Sequence, residues 1–272
     1  MMFELLILFC AFALSITGSL FFWPVTSGLD FYKPVVLFLA GYVLGVFVLL
    51  LFILIHSLFL KKMGTEYQKP NKMALIWIAQ CMSWIALHSF VKITFIGKNR
   101  LPAKGRFLIV SNHRSFYDSV ITTAKLGMNY PLSFVTKASN MDIPVCNKYP
   151  NAACYSIIHR KDPIQSLQVM KRCQKLLEDK VTNVVIYPEG TRQQAKTIGE
   201  FHEGVFNVAI KANVPIVVLV SKNADIVRHT FPKISKVTQA VIGVIYPSDY
   251  EGKTAKEVSN KVKQMMVDFI EQ

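Results

Sequence analysis

Two short polar blocks hold the side chains in this sequence best suited to chemistry. Asn112-His113-Arg114-Ser115-Phe116-Tyr117-Asp118 sets an imidazole and a carboxylate five positions apart. Tyr187-Pro188-Glu189-Gly190-Thr191-Arg192 follows much later in the chain. A carboxylate that accepts from one imidazole nitrogen leaves the other as a proton acceptor, the pairing that activates a hydroxyl. In the second block Gly190 permits close backbone approach, and Thr191 offers a hydroxyl and an N–H. Arg192 supplies a forked cation that fits phosphate. A base on one strand end and an anion cradle on another point to reaction of a charged substrate. Taken singly, each block has a bland reading. Asp118 then complements a helix dipole while His113 is a turn residue, and Arg192 is a surface charge on a turn. Their occurrence together, in this order, outweighs those readings.

Both blocks must be positioned by the elements that precede them. The apolar runs Val91–Ile96, Phe107–Val110, Leu132–Thr136, Val184–Tyr187, Ile216–Val220 and Val237–Tyr246 predict strands. Helical spacing between them predicts helices over Ser115–Leu126, Pro163–Lys180, Phe201–Ala212 and Thr254–Ile270. Ser115 reads as an N-cap, which places Asp118 in the first helical turn. The alternation implies an α/β fold, a mixed sheet flanked by helices.

The front of the chain is of another kind. The sequence is 52% hydrophobic, and the excess lies in two runs, at about 5–23 and 34–60. Each reaches the ~17–25 residues that a membrane helix requires. A cleaved signal peptide is disfavoured, because Met1-Met2-Phe3-Glu4 lacks a positive start and no small-residue cleavage site follows Trp23. The expected reading is a transmembrane hairpin over residues 1–64. The connector from Pro24 to Lys33 holds one Lys and one Asp, whereas Lys61, Lys62, Lys69 and Lys72 follow the second run closely. That asymmetry places the rest of the chain on the cytoplasmic face. Residues 65–90 read as a linker followed by a third apolar stretch, Met73–Phe90. It is either an interfacial helix with Trp77 and Trp84 on one face, or a helix packed on the domain that occupies 91–272.

Net charge is +14, from 31 basic and 17 acidic residues. Such a balance suits nucleic acid or an anionic membrane surface. No nucleic-acid motif is visible, and the hairpin favours lipid. Cys10, Cys81, Cys146, Cys154 and Cys173 are scattered without CxxC pairing, which reads as reduced thiols. His56, His88, His202 and His229 show no ligand spacing, so no metal is expected; nor is any cofactor expected. Gly252-Lys253-Thr254 lacks the first glycine of a phosphate loop, and no G-x-S-x-G elbow occurs.

With both blocks in view, the chain resembles the lysophosphatidic acid acyltransferase family, the glycerolipid acyltransferases. The resemblance rests on N-H-x-x-x-x-D at Asn112–Asp118 and E-G-T-R at Glu189–Arg192. Weaker matches are Cys154-Tyr-Ser-Ile-Ile-His-Arg160 and Val214-Pro215-Ile216-Val217. It spans about Val91 to Val220. Three positions depart from the family pattern: Cys154 stands where Gly is usual, His159 where Asp or Asn is usual, and Val218 where a second Pro is usual. These bear on the identity of the acceptor more than on the reaction, since the His-Asp pair is intact.

The resemblance implies that His113 deprotonates an acceptor hydroxyl, which attacks an acyl thioester, and that Asp118 orients the imidazole. It implies that Arg160, Glu189, Gly190, Thr191 and Arg192 hold the acceptor, with the arginines near its phosphate. Phe201-His202-Glu203-Gly204 is expected to pack beneath the site. Lys137 is either a contact for donor phosphates or a solvated strand-end lysine, and His159 is either a phosphate contact or a surface histidine. The implied partners are a lysophospholipid, above all lysophosphatidic acid, and acyl-CoA or acyl carrier protein as co-substrate. The alternatives are glycerol 3-phosphate or another lysolipid as acceptor, a hydrolase using the same pair on water, and a non-catalytic basic lipid-binding module.

Overall fold

The computed structural model describes residues 2–61, 67–142, 147–159, 162–193 and 197–271. The chain divides into two compact units, Met1–Lys61 and Lys62–Gln272.

In the first unit, α1 (Met2–Thr17) runs through a π turn (Gly18–Phe22) and a 3-10 turn (Gly28–Phe31) into α2 (Tyr32–Leu58). The helical segments Met2–Phe22 and Gly28–Leu58 are each long and apolar enough to cross a membrane. They pack through small residues. A Cβ on Gly45 would lie 2.9 Å from Ile7, and one on Gly41 would lie 3.1 Å from the Ala11 backbone. Such close approach is how apolar helices associate where no hydrophobic drive separates them from lipid. Away from that contact, Leu39, Val43, Phe47 and Phe52 are exposed. In the connector, Lys33 Nζ lies 3.0 Å from Asp30 Oδ1, so its two charges cancel.

The second unit opens with α3 (Lys72–His88) and β1 (Val91–Ile96), then β2 (Leu108–Ser111), α4 (Phe116–Leu126) and β3 (Leu132–Lys137). After these come α5 (Lys148–Ala152), β4 (Ser156–Ile158), α6 (Pro163–Glu178) and β5 (Asn183–Ile186). The chain ends with α7 (Phe206–Ala212), β6 (Ile216–Lys222), α8 (Val227–Thr230), β7 (Ser235–Ile245), α9 (Pro247–Tyr250) and α10 (Ala255–Glu271). The seven strands form one sheet in the order β1-β7-β6-β2-β5-β3-β4. Every neighbouring pair is parallel except β6 with β7. β1 and β7 therefore run opposite to the other five strands, and the sheet is mixed.

The central strands are apolar on both faces, as strands covered by helices on both sides must be. Leu108, Val110, Val184 and Ile186 join a cluster with Phe206 and Ala209 of α7 and Val258, Val262 and Met266 of α10. Ile109, Val185, Val217 and Leu219 face the other way, with Leu126 of α4. β4 is absent from the expected strands, being only three residues long at the sheet edge. The third apolar stretch is a packed helix. α3 lies against α4 and α5, Trp77 is buried, and Gln80 Nε2 donates to Met128 Sδ at 3.4 Å.

This wiring makes a topological switch point between β2 and β5. β2 feeds α4 on one face of the sheet, and neighbouring β5 leads to α7 on the other. Where connections from adjacent parallel strands part to opposite faces, a hollow forms at the strands' C-terminal ends. His113 follows β2 there, and Glu189 follows β5.

Candidate active site

One carboxylate oxygen organises the candidate base, His113. Ser115 caps α4 with extended backbone, and its side chain accepts from Tyr117 N. Asp118 stands at the third helical position and closes the capping box. Its Oδ2 accepts from the amides of Arg114 and Ser115, each at 2.7 Å, and also from His113 Nδ1 at 3.1 Å. The residue that stabilises the helix start therefore also fixes the imidazole tautomer, leaving Nε2 as the acceptor. Asp118 is 0% exposed, and its Oδ1 has no hydrogen-bond partner among the described residues. A buried carboxylate is held in place by such donors, because an unpaired one is costly to bury.

The ring of His113 also stacks on Tyr187, with centroids 4.2 Å apart and planes 17° from parallel. Burial first, and then the Asp118 charge, keep the Tyr187 phenol well above its ordinary range, so the stacking face is neutral. Sequence reasoning placed Tyr187 at a strand end and at the head of the second block but gave it no role at the site. Its signal was an aromatic residue directly before Pro188.

The two blocks are tied together through main chain. Glu189 Oε1 accepts from the His113 amide at 2.9 Å, and Oε2 accepts from Gly199 N at 3.1 Å. The Gln193 amide donates to the His113 carbonyl at 2.9 Å. Glu189 is 4% exposed. Burial raises its carboxyl above the ordinary glutamate range, outweighing the two amides that pull it down. The resemblance has Glu189 holding the acceptor; the structure instead turns it inward, both oxygens committed to backbone amides. It locks the second loop to the main chain of His113.

Gly190 has φ +66°, and a Cβ there would lie 2.9 Å from the His202 ring. His202 N donates to the Pro188 carbonyl at 2.8 Å, so Phe201–Gly204 does support this loop. Thr191 and Arg192 are exposed beside it. Lys137 is exposed at the end of β3, on the same sheet edge. His159 follows β4 at that edge. Arg160 lies outside the described residues, as do Lys62 and Cys146.

Further residues act at long range. Asn112 Nδ2 donates to Ser221 O at 3.0 Å, and Ser221 N donates back to Asn112 Oδ1 at 2.8 Å. This side-chain amide extends the β2–β6 ladder as the main chain turns away toward His113. Arg114 makes a bidentate pair with Asp225, both contacts 3.1 Å. Beneath the site, Gln239 Nε2 donates to Thr122 Oγ1 and Ser221 Oγ at 2.8 and 3.0 Å.

Among the described residues, no cluster of three or more His, Cys, Asp or Glu is arranged to hold a metal. None of Cys10, Cys81, Cys154 and Cys173 forms a disulfide. Burial pushes the Cys173 thiol up to about 11, as suits a packing residue and not a nucleophile.

A family model described as Acyltransferase matches residues 92–222. A chloroplastic 1-acyl-sn-glycerol-3-phosphate acyltransferase of Brassica napus is 33% identical over 142 residues, covering 52% of this chain and 40% of that protein. The corresponding protein of Arabidopsis thaliana is also 33% identical over 142 residues, 52% of this chain and 39% of its own length. The chain thus matches about two fifths of the length of these relatives. In fold, it is similar to the crystal structure of the 1-acyl-sn-glycerophosphate acyltransferase PlsC from Thermotoga maritima. The TM-score is 0.63 at 18% identity, over 98% of this chain and 95% of that one.

Proposed function

We propose that the chain is a member of the lysophosphatidic acid acyltransferase family and that it moves a fatty acyl group from a thioester to the free hydroxyl of lysophosphatidic acid. The observation that carries this reading is the buried Asp118 holding His113 Nδ1, tied through Glu189 to the loop of Thr191 and Arg192 at the same strand ends.

His113 Nε2 takes the proton of the acceptor hydroxyl while the oxygen attacks the thioester carbonyl. The imidazolium that forms is stabilised by Asp118. As the tetrahedral species collapses, the new ester C–O bond is kept, the C–S bond breaks, and Nε2 returns its proton to the leaving sulfur. The protein forms no covalent bond to the acyl group. Arg192 and Thr191, unburied beside the base, receive the acceptor's phosphate. Acyl-CoA and acyl carrier protein are both acidic, and a chain of net charge +14 attracts either. Lys137 is the strand-end cation placed for the donor. The two apolar helices keep the enzyme in the bilayer, where acceptor and product reside. Lys61, Lys62, Lys69 and Lys72 after α2, against a charge-cancelled connector, support a cytoplasmic position for the second unit.

The test uses purified full-length chain in phospholipid vesicles, with a labelled thioester and lysophosphatidic acid. Labelled phosphatidic acid is the expected product, and His113→Ala should lower its rate by about 10²–10⁴. Parent-like rates in His113→Ala would sink the mechanism. Labelled fatty acid without phospholipid would make the enzyme a hydrolase, and preference for glycerol 3-phosphate or another lysolipid would change the acceptor.

A further inference from the structure

The sheet edge that carries His113 also carries an unburied apolar surface. β7 starts where β6 ends, with Lys222 opposite Thr238, and β1 runs alongside β7 with Val91 opposite Ser235. The residues just before β1 and β7 therefore stand at the C-terminal end of β6, level with the catalytic loop. Phe90 and Phe231 meet there, ring centroids 5.8 Å apart. Phe231 is 59% exposed and Ile234 63%. Phe116, at the start of α4, and Ile226, just before α8, are also exposed. The surface is rigidly joined to the site. Tyr117 Oη donates to Ser89 Oγ at 2.8 Å, and the Arg114–Asp225 pair ties the β6–α8 loop to the residue after His113.

Cations are interleaved with these apolar groups. Arg228, Lys233 and Lys236 are exposed in the same segment, and between Ile226 and Lys236 there is no acidic residue. Asp225, just before it, is already paired with Arg114. Lys236 is also the register partner of Lys92 across the β1–β7 ladder, with both side chains exposed. Like charges side by side on neighbouring strands are unfavourable unless something anionic lies over them. Exposed aromatic and aliphatic side chains among cations match the interfacial zone of an anionic leaflet, where rings enter the acyl boundary and ammonium groups meet phosphates. A protein partner of stated charge would have to be both apolar and acidic over the same small area; a bilayer supplies both in layers.

We propose that this face of the second unit, centred on Phe231 and Ile234, docks onto an anionic bilayer surface independently of the two apolar helices. It goes beyond the acyl-transfer reading, and its test needs no turnover. Phe231→Trp and, separately, Ile234→Trp are made in the full-length chain and placed in vesicles of phosphatidylcholine and phosphatidylglycerol. Part of the phosphatidylcholine carries bromine high on its acyl chains as a contact quencher. The emission added by each new tryptophan, relative to the parent protein, should be blue-shifted and quenched about twofold or more. The quench should weaken when Lys233→Glu and Lys236→Glu are added. Added emission that is water-like and unquenched in both variants would overturn the proposal, whatever the enzymatic activity. Two positions are used so that a local packing fault at one cannot decide the result.

Discussion

Asp118→Asn is the most revealing single change at this site. Two main-chain amides, of Arg114 and Ser115, point at Oδ2 from 2.7 Å. An asparagine must therefore keep its oxygen there, since the flipped amide would set N–H against N–H twice. The same oxygen still accepts from His113 Nδ1, so ring orientation and tautomer survive while the negative charge is lost. A full charge 3.1 Å from the imidazolium is worth about 5 kcal/mol at an effective dielectric of ~20, and 1.36 kcal/mol corresponds to tenfold in rate. The expected loss in kcat is thus about 10³–10⁴, with KM for the acceptor nearly unchanged. Burial of an uncharged amide in place of a carboxylate leaves the thermal midpoint within a few degrees of the parent. Steady-state kinetics with lysophosphatidic acid and a chromogenic assay of thiol release measure both constants. A variant within tenfold of the parent in kcat would show that the Asp118 charge does not support the transition state. A large rise in KM with kcat preserved would assign Asp118 to binding.

Glu189→Gln keeps one acceptor but leaves a buried N–H of His113 or Gly199 facing an amide group, which costs about 1–3 kcal/mol. Relief of the carboxylate's burial offsets part of this, so the expected loss at neutral pH is about 1–2 kcal/mol, a midpoint drop of roughly 2–8 °C for a unit of this size. The raised carboxyl of Glu189 adds stability below the ordinary glutamate value and loses it as pH rises through the folded value. Parent and variant melting curves should therefore show the parent's pH-dependent decline flattened in the variant; parallel curves would refute it. Gly190→Ala combines a left-handed backbone with a contact 2.9 Å from His202, and should lower activity about tenfold with destabilisation of ~1–3 kcal/mol. Adding His202→Ala should recover the part due to the clash, and strict additivity would show that no clash exists. Arg192→Ala should raise KM for a phosphorylated acceptor by about tenfold, the loss of one charge-assisted contact; an unchanged KM would remove Arg192 from the phosphate site.

Local signals carried much of the architecture. Ser115 as an N-cap, with Asp118 one turn in, follows from residue types within four positions, and the structure closes that capping box. Apolar runs gave the central strands because those strands are covered on both faces. Boundaries moved where distant contacts decide them. The helix expected from Phe201 begins at Phe206, because His202 N is spent on Pro188 O and the next residues form a 3-10 turn. The expected end of α6 at Lys180 falls at Glu178, where Lys180 takes φ +54°. Ser156–Ile158 was too short to show a period. The inward turn of Glu189 and the links from Asn112 to Ser221 and from Arg114 to Asp225 join positions 76, 109 and 111 residues apart. No local pattern encodes such pairings; only the sheet order brings β2, β5 and β6 side by side.

The stacking of Tyr187 on His113 has a bearing on how the two substrates meet. One face of the imidazole is covered by the phenol ring and Nδ1 is occupied by Asp118, so proton traffic has a single doorway. Whatever atom gives up its hydrogen and whatever atom later receives it must visit the same nitrogen. On the proposed reaction, the acceptor alcohol and the departing thiol therefore meet the protein at one spot, one after the other.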